Sequence, residues 1–145
     1  MGFDLNGLGA TSKTGVYFRN NVWWWRPLAN YVMEVCNITN EDGWHTNSGH
    51  KITALDAADI YNKLHTELKK GNTKKYAAAY TKRLEGLPNE PCHVCKGDKT
   101  YIDTPCHVCN ETGEVDHWEK NYPFSVDNVK MFIAFVKESG GFEIY

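Results

Sequence analysis

The sequence predicts an α+β fold, mostly helical, with about four helices, a small sheet and a four-cysteine module inserted between helices three and four. Three observations predict it. Four stretches place apolar residues every three or four positions, each behind an Asn, Thr or Ser suited to capping a helix. Short runs rich in aromatic and β-branched residues stand near both ends of the chain. Two Cys-x-x-Cys turns lie between the third and fourth helical stretches.

Residues 1–15 are rich in Gly, Asn, Ser and Thr and predict an ordered or semi-ordered lead-in. Gly15 to Arg19 suits a short strand. Asn20 or Asn21 offers a cap for the first helix, where Trp24, Leu28, Tyr31, Val32 and Val35 fall at helical spacing, as do Trp25, Ala29, Val32 and Cys36. The two stripes adjoin, so this helix should be central; Pro27 fits only near its first turn. Residues 39–50 predict a loop. Thr53 and Asp56 form a capping box for the second helix, buried through Ala57, Ile60, Tyr61, Leu64 and Leu68 and stopped by Gly71. Thr73 should cap a third helix reaching Glu85, with Tyr76, Tyr80 and Leu84 on one face. Ser125 caps the last, with Val129, Phe132, Ile133 and Val136 as its stripe, and Gly140-Gly141 ends it. Residues 142–145 suit a strand pairing with Phe3-Asp4-Leu5 or with 15–19.

The chain has 145 residues, 41% hydrophobic and 13% aromatic. That length suits a single domain, 1–145, and the aromatic content can fill a core, because each buried ring removes about 150–250 Å² from water. No apolar run reaches the roughly 20 residues of a membrane span. The N-terminal segment lacks the basic and apolar regions of a secretory signal, so the expected location is cytoplasmic and the cysteines should stay reduced. The net charge of −2 hides an asymmetry: residues 63–83 carry seven basic side chains against Glu67.

The cysteine module, residues 91–117, is an internal repeat. Pro91-Cys92-His93-Val94-Cys95 recurs as Pro105-Cys106-His107-Val108-Cys109. Each Cys-x-x-Cys turn lets two sulfurs converge on one ion, and the residues between can form a hairpin that returns the chain. The pattern predicts one structural zinc ion held by Cys92, Cys95, Cys106 and Cys109. Four sulfurs close a tetrahedral zinc, leaving no position for substrate or activated water, so the site should serve folding.

Cys92-x-x-Cys95-x-Gly97 and Cys106-x-x-Cys109-x-x-x-Gly113 resemble the Cys-x-x-Cys-x-Gly-x-Gly repeats of the DnaJ-type co-chaperone cysteine-rich domain. The knuckles of the small antagonist of the tryptophan attenuation protein are similar. The first repeat departs from that pattern at Lys99 and the second carries an extra residue before Gly113. A wider resemblance joins the Gly15–Leu28 segment, the knuckles, Asn121 to Val126 and Ser139 to Phe142 to a family of small uncharacterised bacterial and phage proteins. It implies a phage or mobile-element setting and no particular activity.

Trp23-Trp24-Trp25 cannot bury all three rings on one helical side, because neighbours lie about 100° apart. Trp23 should face another element, a partner or solvent. Together with the flanking Arg19 and Arg26 it forms a candidate partner surface. Lys69, Lys70, Lys74 and Lys75 are candidate phosphate contacts, with Tyr76 and Tyr80 interleaved among the charges. The Trp44–His50 loop carries two histidines but no carboxylate to orient them. No nucleophile–base pair, phosphate loop or carboxylate constellation is evident, which points away from catalysis. The leading expectation is a non-catalytic, zinc-stabilised interaction protein that binds a host protein as a regulator or defence inhibitor. A nucleic-acid-binding regulator using the 63–83 stretch and the zinc module is the first alternative, and a small-ligand binder is the second.

Overall fold

The computed structural model describes all 145 residues. In chain order the elements are β1 Gly2–Gly7, β2 Tyr17–Asn21, α1 Val22–Cys36, α2 Glu41–His45, β3 His50–Ile52, α3 Ala54–Lys69 and α4 Asn72–Glu85. Then come β4 Glu90–Pro91, β5 Thr100–Tyr101, β6 Thr104–Pro105, β7 Glu114–Val115, α5 Val126–Ser139 and β8 Phe142–Ile144. The fold is α+β. It divides into two compact units: Met1–Tyr80 with Tyr122–Tyr145, and Thr81–Asn121. The cysteine segment therefore falls between α4 and α5. No helix is long and apolar enough to cross a membrane.

The first unit is built on an antiparallel sheet of order β2-β1-β8-β3. Strand alternation sends Phe3, Leu5, Phe18, Ile52, Phe142 and Ile144 to one face, where they join a core with α1, α3 and α5. The tail strand thus pairs with β1, in the register Leu5↔Ile144, and also with β3.

Trp25 is the hub of that core. It stacks on Phe3 and Trp44 at ring separations of 5.5 and 6.0 Å, and its indole N–H donates to the Trp44 carbonyl at 2.7 Å. That bond lets a large ring be fully buried without an unmet donor. Asn21 caps α1 by accepting from the Trp24 N–H at 3.1 Å, and Asn37 ends it in the left-handed region at φ 56°. Pro27 sits about a turn inside the helix and is buried, so the Trp23 carbonyl loses its usual N–H partner.

Three expectations from sequence are corrected. Residues 39–50 are not simply a loop: Asn40 accepts from the Gly43 N–H and starts the short α2, and β3 follows. A five-residue helix is too short to register as periodicity, which is why four helices become five. Thr73 does not cap α4, which begins at Asn72; Thr73 is buried within it, with its hydroxyl 2.7 Å from that of Tyr31. Nor is the N-terminal segment a mere lead-in. It supplies the inner strand β1, and residues 8–11 then cover the end of α5, where Gly9 and Thr11 N–H groups donate to the Ser139 and Glu138 carbonyls at 2.9 Å. Those are the carbonyls a helix end leaves unpaired. A Cβ on Gly15 would overlap the Glu138 carbonyl oxygen, so the small residues permit backbone-to-backbone approach.

The N-cap half of the expected capping box is present, the Asp56 N–H donating to Thr53 Oγ1 at 3.1 Å, while the Asp56 carboxylate accepts from the Thr53 hydroxyl at 2.9 Å. Ser125 caps α5 as expected, accepting from the Asn128 N–H. Asn128 and Asn20 exchange reciprocal amide hydrogen bonds of 2.8 and 3.1 Å, so a buried polar side chain is satisfied.

Candidate metal centre

Residues 81–121 contain little apolar material with which to fold. Their buried cluster is Cys92, Cys95, Cys106 and Cys109, flanked by partly buried Val94 and Val115. Two short ladders bring the sulfurs together. β4 pairs with β7, aligning Pro91 with Glu114, and the Cys92 N–H donates to the Gly113 carbonyl at 2.9 Å. β5 pairs with β6, and the Cys106 N–H donates to the Lys99 carbonyl at 2.9 Å. The hairpin expected between the Cys pairs is therefore present. Its two turn residues, Ile102 and Asp103, both have positive φ, 51° and 58°, as a type I′ turn requires.

The knuckles repeat one device. After Cys95 the chain turns through Lys96 and Gly97 at φ 56° and 96°; after Cys109 it turns through Asn110 and Glu111 at 50° and 63°. These left-handed residues direct backbone N–H groups at the sulfurs, as in the Gly113 N–H to Cys109 Sγ contact of 3.3 Å. Gly113, at φ 80°, faces Gly97 so closely that a Cβ there would stand 2.8 Å from the Gly97 carbonyl oxygen. Gly113 and the bracing Thr112, whose hydroxyl donates to the Cys109 carbonyl at 2.6 Å, are supporting residues that the Cys spacing alone does not single out. The glycine had a sequence signal, its place in the knuckle repeat; the threonine had none.

The four Sγ atoms lie within 4.8 Å of one another. Cys92 and Cys106 sulfurs are 3.8 Å apart and those of Cys95 and Cys109 3.7 Å. A disulfide needs about 2.05 Å, and all five cysteines of the chain are free thiols. A tetrahedron of sulfurs around a metal at about 2.3 Å has edges of about 3.8 Å. The arrangement fits a metal ion.

Without a metal, the shifted thiols of the cluster move in different directions. The Cys95 N–H, aided by that of Val94, draws the Cys92 thiol below its usual value. Burial pushes Cys95 up to about 11, against the Gly97 and Lys99 N–H groups. Burial acts upward on Cys109 too, but the Gly113 N–H and the neighbouring sulfurs bring it down to about 7. Four thiolates this close would repel one another; protons relieve that repulsion in the absence of metal, and a cation at the centre relieves it with all four deprotonated. His93 and His107 are exposed and stand outside the sulfur cluster.

The other candidates do not assemble into a site. Trp23 is 44% exposed, with its ring edge-on to Tyr122 at 4.9 Å, whereas Trp25 is fully buried and Trp24 partly so. Arg19 is exposed and lies 3.7 Å from Asp4, which also accepts from the Tyr17 hydroxyl. Arg26 is exposed on α1. Lys69, Lys70, Lys74 and Lys75 are exposed around the α3–α4 junction, but Tyr76 and Tyr80 pack against Phe124. In the Trp44–His50 segment, Trp44 is core, His45 Nε2 lies 2.8 Å from Asn30 Oδ1, and the His50 ring lies against Gly43. A cleft of about 320 Å³ beside them is lined by Cys36, Trp44, His50, Asp56 and Asp59 among others. Burial drives the Cys36 thiol up to about 11, so it stays neutral and unreactive. Comparison of this chain with protein-family profiles, curated proteins and solved structures finds no match.

Proposed function

We propose that this protein is a non-catalytic, zinc-stabilised interaction protein, whose four-sulfur centre holds residues 81–121 in shape to meet a protein partner. The observation that carries the reading is a buried, all-cysteine tetrahedron serving as the core of its own unit. Four-sulfur geometry suits zinc or iron, and zinc is the choice for a site whose task is folding. Four protein ligands complete the coordination, which supports a structural over a catalytic role. On the resemblance to small phage and bacterial proteins, the partner is a host protein.

The packing of Tyr76 and Tyr80 favours a protein partner over nucleic acid, because those rings are not presented for stacking with bases. The exposed Lys69, Lys70, Lys74 and Lys75 keep nucleic acid as the second reading. Metal analysis of purified protein should return about one zinc per chain, and cobalt exchanged into the site should give the visible absorption of tetrahedral, thiolate-bound cobalt. Cys95→Ser should lose the metal. Iron in place of zinc, or a Cys95→Ser protein that keeps its full metal content, would overturn the assignment. A salt-sensitive RNA mobility shift abolished by Lys74→Glu with Lys75→Glu would favour the second reading.

A further inference from the structure

The corner where α3 meets α4 gathers positive charge against the local rules. Lys69 and Lys70 end α3, and Gly71 turns the chain at φ 79°. Lys74 and Lys75 stand in the first turn of α4, which the Lys75 N–H closes on the Gly71 carbonyl at 3.2 Å. All four lysines are exposed, and none belongs to any of the protein's five ion pairs. Glu67, one turn back on α3, is partly buried and already accepts from the Asn72 side-chain amide at 2.9 Å. At the end of α3, lysines suit the helix dipole and need no further account. At the start of α4 they oppose it. The unpaired N–H groups there carry partial positive charge and favour carboxylates, yet the first turn contains no acidic residue. A local rule broken on an exposed surface, with no compensating pair in the fold, is the mark of a binding role.

The packing of α4 shows which way the corner looks. Thr73 is fully buried against the Tyr31 hydroxyl, and Tyr76, Ala77 and Tyr80 pack on the core around Trp25. Lys74 and Lys75 lie on the opposite side, and helical spacing puts Ala78 and Ala79, both exposed, one turn beyond them. The two alanines make a low, uncharged shelf beside the charges. It has no side-chain donor for a phosphate and no ring for a base, and Tyr76 and Tyr80, which could stack, are turned onto Phe124. The surface is complementary to carboxylates next to an apolar side chain, a combination that a protein carries and a sugar–phosphate backbone lacks.

We propose that Lys69, Lys70, Lys74 and Lys75, with Ala78 and Ala79, form a docking surface for an acidic protein segment. Its carboxylates meet the lysines, and an adjoining apolar side chain lies on the alanines. The surface is outside residues 81–121, so the proposal goes beyond the reading above and its test does not depend on the metal.

The test uses the full-length, metal-loaded protein and fluorescein-labelled probes read by anisotropy. The first probe is a peptide of Glu and Asp around a single Leu. Its controls are the same peptide with Ser in place of Leu, the same with Gln and Asn in place of the acids, a single-stranded RNA and a DNA duplex. The acidic Leu peptide should bind, weakening as salt rises, and about tenfold more tightly than the amide peptide or either nucleic acid. The Ser peptide should bind about fivefold more weakly, the loss expected of a partly buried apolar side chain. Lys74→Glu with Lys75→Glu should abolish peptide binding and leave the urea midpoint unchanged or higher, because carboxylates suit the start of a helix. Should that protein fail to fold, Lys74→Gln with Lys75→Gln decides, with a loss of about tenfold expected. No binding of the acidic Leu peptide, or RNA or duplex bound as tightly, overturns the proposal. Equal binding of the Leu and Ser peptides overturns it too, as does peptide binding indifferent to the lysine substitutions. A lowered midpoint in the Gln pair would mark the lysines as structural, with the same consequence.

Discussion

His45 places its Nδ1 atom in the interior with no hydrogen-bond partner, while Nε2 lies 2.8 Å from Asn30 Oδ1. The neutral ring donates from Nε2 to that amide oxygen. Protonation would add an N–H at Nδ1 where nothing accepts it. Burial, reinforced by the Arg26 charge and opposed by Glu41, accordingly holds the His45 pKa below its ordinary value of 6.5. A histidine depressed in the folded state binds fewer protons there than when unfolded. Its contribution is complete above about pH 6.5 and is lost as pH falls through the folded value. The urea midpoint should therefore decline between pH 7 and pH 5, and His45→Gln should flatten the decline. An unchanged slope would show that this ring is not responsible. Nothing at residues 44–50 announces the arrangement, since the orienting Asn30 comes from α1. The cysteines are legible for the opposite reason: all four ligands are one residue type at fixed local spacing.

At the scale of elements, helices long enough to show a stripe were readable, and so were the caps at Asn21, Thr53 and Ser125, which act within four residues, though the Thr73 cap was misplaced and the Asn40 cap missed. β1 was readable only in part: Phe3-Asp4-Leu5 stood out as a possible partner of the tail strand, while Gly2, Asn6 and Gly7 speak for turns, a preference that pairing with β2 and β8 overrides. The same segment bears a strong expectation. Gly15 meets the Glu138 carbonyl with no room for a methyl group. Gly15→Ala should separate the N-terminal segment from the α5 terminus and cost on the order of 3 kcal/mol in urea unfolding. Gly71→Ala is a useful contrast: nothing stands within 4 Å of its Cβ position, so only the strain of its φ of 79° remains, about 1 kcal/mol. Equal effects at the two sites would mean that the close approach contributes nothing.

The whole chain has two cores of different substance. The Met1–Tyr80 and Tyr122–Tyr145 unit has an aromatic and aliphatic interior around Trp25, whereas Thr81–Asn121 has its sulfurs and two partly buried valines. The sequence reading was a single domain, 1–145, with the cysteine module at 91–117 inserted in it; length and composition do not report how apolar residues distribute along the chain. Chelation should act on one core only. By hydrogen exchange, amides of Cys92, Lys96, Asp98 and Cys106, which close the knuckles, should lose protection without metal, while those of α1 and α5 keep it. Loss throughout the protein, or nowhere, would contradict a metal-built second core.

β8 lies inside the sheet between β1 and β3, yet its residues come from the far end of the sequence. During synthesis, at about 5–20 residues per second, β1 and β2 emerge close together and can pair, while the inner edge of β1 waits until Phe142–Ile144 is made. Until β8 arrives that edge stays open, a state that favours association with other chains. The order of strands in this small sheet therefore makes Phe142–Ile144, distant in sequence from both neighbours, the segment that closes it.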